Sequence, residues 1–320
     1  MEVKTIRDLA QLQTEQGLKF VAGHRMCAGC GISSILRTVL SASKKKVVVV
    51  NATGCLEVVS TIYPFTAWNT PWLHVTFVNA GSAAAGVETA YRALKKKGIL
   101  KEEVDIVAFG GDGGTYDIGI QAISGAFERG HNFLYVCYDN EGYMNTGHQR
   151  SGATPFGASS TTQPAGKVSF GKKEWRKDLV KIIAGHNIPY VAQSNVYNTM
   201  DMFKKAQKAF EIEGPKFLNV LMPCTTNWGF PENLTMKISR LATETNFWPL
   251  FEIERGVLTV NVKPKERKNI EEFLKLQSRF KHLFTEENKK YIEEMQKKID
   301  EDFENLLKLE KVTHEEGVRI

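Results

Sequence analysis

The sequence predicts an α/β fold: a doubly wound, mainly parallel sheet, followed by a C-terminal helical extension. Three observations carry the sheet. Short β-branched runs recur at VVVVN from Val47, LHVTFVN from Leu73, VDIVAFG from Val104, NFLYVCYDN from Asn132, PYVAQS from Pro189 and KFLNVLM from Lys216. Helical patterns separate them. The runs are continuously apolar instead of alternating, the pattern of strands covered on both faces, which parallel strands with crossover helices require.

The helices follow in order. SAAAGVETAYRALKKK, Ser82 to Lys97, opens on a serine cap and closes on three lysines before Gly98, as cap and dipole rules prefer. Tyr116 to Arg129 follows a glycine turn and stops at Gly130. Residues 175–186 and 199–213 supply two more. Residues 140–174, rich in Gly, Ser, Thr and Pro, break this rhythm, and a loop of that length in a compact domain is usually functional or disordered. From Lys263 the chain turns charged and helical. Residues 1–262 are therefore read as the α/β domain and 263–320 as an extension packing on a partner subunit. No internal repeat appears.

With 42% hydrophobic and 24% charged residues the chain has the composition of a globular protein. No apolar run reaches the ~20 residues of a membrane span, and the opening MEVKTIRDLAQLQ lacks the basic-then-apolar order of a signal peptide. A cytoplasmic location without membrane contact is expected. The net charge of +6 comes from short lysine runs and a mixed-charge tail, not from arginines interleaved with aromatics, so no nucleic-acid partner is expected. Five cysteines in a reducing compartment point to metal binding or catalysis before disulfides.

The strand from Val104 runs into Gly110, Gly111, Asp112, Gly113 and Gly114, with a helix expected from Tyr116. Glycines at a strand's carboxyl end let backbone N–H groups approach a phosphate, and an aspartate among them adds a ligand for Mg²⁺. The next strand ends at Asp139 and Asn140, which should emerge beside Asp112. For Asp139 a turn or cap role competes equally with ligation.

Cys27 and Cys30 form a C-x-x-C pair, which zinc, disulfide and iron–sulfur sites all use. Cys55 and Cys224 each follow a strand, so three segments bring thiols toward the same sheet edge. A zinc ribbon places its second pair closer, and thioredoxin chemistry has no need of Cys55 or Cys224. A four-thiolate iron–sulfur cluster uses all four. Cys137, inside an apolar strand, reads as core.

GHRMCAGCG, ATGCLEVVSTIYPFTAW, the GGDGG turn with QAISGAFERGH, YDNEGYMNTGHQRSGATP and ETNFWPLFEIERG together closely resemble the β subunit of pyruvate:ferredoxin oxidoreductases, over roughly residues 20–285. The resemblance implies the thiamine-diphosphate-binding fold, in its diphosphate-type domain, with thiamine diphosphate, Mg²⁺ and one [4Fe–4S] cluster on Cys27, Cys30, Cys55 and Cys224. It implies Asp112 and Asn140 as side-chain ligands of Mg²⁺ and Gly142 as a carbonyl ligand. Thr53, Gly54 and the glycines Gly111, Gly113 and Gly114 would border the cofactor, with Asn79 near it. Asn145 and Thr146 would lie against it as catalytic candidates. Gly23 and His24 also match, His24 as a structural hydrogen-bonding group.

Ile32 stands where relatives often carry Glu, and His148 where many have Gly. The implied activity is oxidative decarboxylation of a 2-oxoacid, most simply pyruvate, with coenzyme A and ferredoxin. Branched-chain, aryl, 2-oxoglutarate or oxalate-like substrates are alternatives, as are a non-redox thiamine enzyme and a zinc-stabilised subunit without catalysis. Electrons would leave through another subunit, because no ferredoxin-type cysteine run occurs in this sequence, and the resemblance implies that the glutamate activating the cofactor's aminopyrimidine also lies on a partner.

Overall fold

The computed structural model describes residues 3–320. Eight strands form one sheet: β1 (Lys46–Ala52), β2 (Trp72–Val75), β3 (Val104–Gly111), β4 (Leu134–Asp139), β5 (Tyr190–Asn195), β6 (Lys216–Leu221), β7 (Phe251–Glu254) and β8 (Val257–Val260). Their order is β2-β1-β3-β4-β6-β5-β7-β8. The first six are parallel, as the apolar runs predict, and β7 and β8 add antiparallel at the β5 edge.

Coverage of both faces is visible along each inner strand. Val47 and Val49 enter one core with the helices Ile32–Ala42 and Thr199–Glu211, whereas Val50 and Ala52 enter the opposite core with Ala80–Lys96 and Ile120–Glu128. On β4, Leu134 and Val136 alternate in the same way with Tyr135 and Cys137. Each buried aliphatic side chain contributes roughly 1.5–3 kcal/mol, so these strands are fixed from both sides.

Several expected elements differ. The run LHVTFVN is strand only to Val75, and as the sheet's edge it leaves Leu73 and His74 exposed. The helix expected from Ser82 begins at Ala80 after Asn79, and Ser82 Oγ donates to Asn79 O at 3.1 Å within its first turn instead of capping it. The glycine turn before Tyr116 is itself helical, a π turn over Gly113–Asp117, and the α-helix proper is Ile120–Glu128. The helix expected over 175–186 spans only Leu179–Ala184, because Asp178 caps it by accepting from the Lys181 N–H. The β7–β8 hairpin was not anticipated; it turns on Arg255 and Gly256, both with positive φ, as two-residue hairpin turns require.

The segment from residue 263 lies along this chain. Phe273, Phe280, Leu283, Ile292 and Met295 share a third core with Phe156, Leu221 and Trp228, and the helix Lys289–Glu315 continues across β8, where Leu306 packs in the second core. Among the described residues no helix is long and apolar enough to cross a membrane.

Candidate active site

The site lies where β1, β3, β4 and β6 end. Gly111 pairs with Tyr138, so Asp112 and Asp139 leave the sheet side by side. Asp112 is buried. Its carboxylate accepts from the Ser151 hydroxyl and, at 3.4 Å, from the Asn140 N–H, and no ion-pair partner reaches it among the described residues. Burial first, then the neighbouring Asp139, push its pKa well above the carboxylate range. Burying that charge without a cation is costly, and a divalent ion at this carboxylate would offset the cost.

The donor set fits one. The Asn140 amide stands 2.9 Å from both Asp112 Oδ1 and the Gly142 carbonyl oxygen. With its nitrogen inward it donates to both; with its oxygen inward, three oxygens converge on one point, as a small hard cation requires. Gly142 is needed there, since a Cβ would stand 3.0 Å from Gln149 O and closer still to Met144.

A cavity of about 190 Å³ opens beside these oxygens. Thr53, Gly54, Gly111, Asp112, Gly113, Asn140, Gly142, Asn145 and Thr146 all line it. So do Cys55, Val58, Phe77, Tyr138, Tyr143 and Met144. Gly114 instead packs on Phe77 inside the π turn, and Asn79 is exposed at the start of the next helix. Thr53 Oγ1 lies 2.8 Å from His74 Nε2, and Thr146 Oγ1 donates to Gln149 Oε1 at 2.6 Å. The Tyr138 hydroxyl is buried without a hydrogen-bond partner among the described residues, and a Cβ on Gly54 would stand 2.8 Å from it.

Cys55 follows Gly54 in the cavity wall, and Cys27, Cys30 and Cys224 lie within electrostatic reach of it. All five cysteines are free thiols. Burial pushes Cys55 up to about 12, helped by Cys224, Cys30, Asp112 and Cys27. Cys30 is likewise pushed up to about 12 by burial, with Cys224 and Cys27 adding to it. Cys30 and Cys55 therefore lie within electrostatic reach of Cys27 and Cys224, and Cys55 also of Asp112.

Two hydrogen bonds bring the segments together: Thr225 Oγ1 donates to Ala28 O at 3.3 Å, and Thr235 Oγ1 to Gly29 O at 2.8 Å. Gly29, at φ 75°, lies so close to the Glu232 backbone that a Cβ would stand 2.7 Å from its carbonyl oxygen. Among the described residues no three His, Cys, Asp or Glu side chains close on a single ion. Four thiols from three segments are a donor set that an iron–sulfur cluster or a zinc ion would take. Cys137 is buried in β4, apart from them.

Residues 52–220 match the family described as thiamine pyrophosphate enzyme, C-terminal TPP binding domain. Pyruvate synthase subunit PorB of Thermotoga maritima is 47% identical over 320 residues, 98% of this chain and 99% of that one. The Methanocaldococcus jannaschii PorB is 50% identical, covering 88% of this chain and 94% of its own.

The chain belongs to the PorB family of pyruvate synthase β subunits.

A paralogous subunit, the ketoisovalerate oxidoreductase subunit VorB of Pyrococcus abyssi, is 44% identical across 92% of this chain and 94% of its own. The fold of the family is also found in the 2-oxoglutarate:ferredoxin oxidoreductase from Magnetococcus marinus solved with 2-oxoglutarate, coenzyme A and succinyl-CoA. It aligns at a TM-score of 0.55 and 23% identity, over 66% of this chain and 68% of that one.

Within this PorB-family chain, the two departures from the family pattern have local explanations. Ile32 is the first residue of the helix Ile32–Ala42 and is buried in the core. His148 has a φ of 61°, the left-handed conformation that glycine adopts most readily. His24 stacks on Phe20 at 5.5 Å, and its Nδ1 is buried without a partner among the described residues, so the expected hydrogen bond is replaced there by ring packing.

A charged network beneath the cofactor loop escaped the sequence reading. Asp139 is not turned toward the oxygen cluster: it accepts from the Tyr116 hydroxyl at 2.6 Å and from Arg176 at 2.8 Å. Arg176 also binds Glu141 at 2.8 Å, and Arg279 binds the other Glu141 oxygen at 2.6 Å. The only cue in the sequence was the run Asp139-Asn140-Glu141, two acids in a stretch destined for burial, each of which needs a cation. The partners stand 35 to 138 positions away, where no spacing pattern reaches.

Proposed function

We propose that this chain is the subunit of a 2-oxoacid:ferredoxin oxidoreductase that holds thiamine diphosphate, Mg²⁺ and one [4Fe–4S] cluster, and that the complex converts pyruvate and coenzyme A to acetyl-CoA, CO₂ and reduced ferredoxin. The observation that carries it is the junction at Gly54-Cys55, where a wall of the cofactor cavity continues directly into the thiol cluster. When bound, thiamine diphosphate supplies the decarboxylation chemistry, and the cluster supplies one-electron transfer.

The chain's own residues set the stage. Asp112, Asn140 and Gly142 would hold Mg²⁺, and Gly111 and Gly113 leave room for the diphosphate. Thr53 and Gly54 shape the cavity wall that leads to Cys55, and Asn145 and Thr146 line the same cavity, where they would lie against the cofactor. Cys27, Cys30, Cys55 and Cys224 would hold the cluster, and the raised thiol pKa values of Cys30 and Cys55 mean that ligation there displaces protons.

The cavity of about 190 Å³ is small against the ~300–1,000 Å³ of usual cofactor sites. Its rim carries exposed Val58, with Tyr63 and Phe65 on the loop that follows. Both features support closure by another subunit, which would also pass electrons to ferredoxin. The C-terminal segment 263–320 offers that complex a further charged surface. The likeness to VorB favours a branched 2-oxoacid as the second reading of the substrate.

The test is turnover by the intact complex, purified without oxygen, over a panel of 2-oxoacids with coenzyme A and an artificial electron acceptor. Pyruvate should be used far faster than 2-oxoisovalerate or 2-oxoglutarate. Preference for 2-oxoisovalerate would transfer the substrate assignment to the second reading, and turnover without coenzyme A and acceptor would overturn the redox assignment.

A further inference from the structure

We propose that Glu141 is a positioning residue for the cation: a buried carboxylate, clamped by Arg176 and Arg279, that holds the left-handed turn from which Asn140 and Gly142 present their oxygens to Asp112. The inference rests on the cation-site reading above and adds to it what keeps that site in shape.

Glu141 stands between the two expected ligands with a φ of 63°. Glycine reaches that conformation freely, whereas a residue with a Cβ is strained there. A glutamate at such a position is retained for its side chain. That side chain is wholly buried, with Arg176 Nη1 on one oxygen at 2.8 Å and Arg279 Nη2 on the other at 2.6 Å. The backbone of Glu141 is tied as well: its N–H donates to Asp139 Oδ1 at 3.0 Å and its carbonyl accepts from Thr154 Oγ1 at 2.7 Å.

The clamp also reaches Asn140. Trp228 Nε1 donates to Asn140 O at 2.9 Å, and the Arg279 guanidinium lies 3.9 Å from the centroid of the Trp228 ring. Arg279 belongs to the C-terminal segment and Arg176 to the stretch after the long loop. Both must be seated for the turn to hold. None of these groups faces the cavity, so their effect on the cation passes through backbone geometry.

The test uses the intact complex, stripped of divalent cation and titrated with Mn²⁺ in the presence of thiamine diphosphate, with bound Mn²⁺ read by EPR. Glu141→Gln keeps the shape and removes the charge; Glu141→Gly removes the strain and the clamp together. Both should weaken Mn²⁺ binding at least about tenfold, in the range that supporting groups of metal sites show. Turnover should recover as Mn²⁺ approaches saturation, because Glu141 touches no reacting group. Arg279→Lys, which keeps the charge but loses the fork, should weaken binding less, and it carries the test if the Glu141 variants fail to assemble.

Mn²⁺ affinity of Glu141→Gly or Arg279→Lys equal to the unaltered complex would overturn the proposal, as would turnover that stays low at saturation. Failure of the underlying cation site is separately visible: Asp112→Ala would then bind Mn²⁺ and thiamine diphosphate normally.

Discussion

The oxygen half and the thiol half of the site share one cavity, which Asp112 and Cys55 both line, yet they are built in opposite ways. The oxygens come from two neighbouring strand ends, and each donor is buried and held by the chain itself: Asp112 by Ser151, Asn140 by Trp228, Gly142 by the crowding around its Cα. The thiols come from three segments far apart in sequence. Cys27 is exposed, and the C-x-x-C turn is tied to the segment after β6 through two threonine hydroxyls. One half is preorganised before any ligand arrives. The other is completed by what it binds, which would itself act as the crosslink.

The largest effect that sharpens this contrast is expected from Cys27→Ala. The complex should lose its iron, its sulfide and its visible absorption, while thiamine diphosphate affinity stays within about twofold, as for independent sites. Joint loss of both cofactors would show that the halves do not form independently.

A smaller effect is expected within the oxygen half. Ser151→Ala removes the hydroxyl that orients Asp112 and should weaken the divalent cation by about 10–100-fold, the usual range for a group behind a metal ligand. The EPR spectrum of the cluster should not change. An unaltered cation affinity would mean that Asp112 is positioned by the fold alone.

The smallest effect sets the site against the opposite edge of the sheet. Lys216, buried at the start of β6 with Asn132 as its hydrogen-bond partner, is pushed down by burial to about 8 from 10.5. The folded chain holds that proton less tightly than the unfolded one, so the contribution to stability rises with pH from about 8 to 10.5. Lys216→Met should stabilise the protein at pH 7 by about 1–3 kcal/mol and flatten that slope, with no change in cofactor affinity. A pH slope identical to the unaltered protein would show that the lysine's charge is compensated.

The same contrast explains what was legible in the sequence. Asp112 could be read because its glycines are adjacent to it and follow an apolar strand, and Asn140 because one helix and one strand separate it from Asp112. The six parallel strands were legible because each carries a short cluster of apolar residues that does not alternate with polar ones. The β7–β8 hairpin was missed because each strand has four residues and its turn is Arg-Gly, not one of the strong hairpin pairs. The Arg176 and Arg279 clamp was missed because an ion pair across the fold leaves no local pattern; the Asp139 to Glu141 run showed the need for a cation, not its source. The start of the helix at Ala80 was misplaced because Ser82 suits a cap and the real boundary, Asn79, makes no capping bond.

The most direct test of the two-part site is a paired cofactor analysis of the intact complex carrying Asp112→Ala, purified without oxygen. Thiamine diphosphate and Mg²⁺ should be absent, while iron, sulfide and the cluster's EPR signal remain at the level of the unaltered complex. Tight thiamine diphosphate binding by this variant, or a colourless unaltered complex that contains zinc in place of iron, would contradict the account.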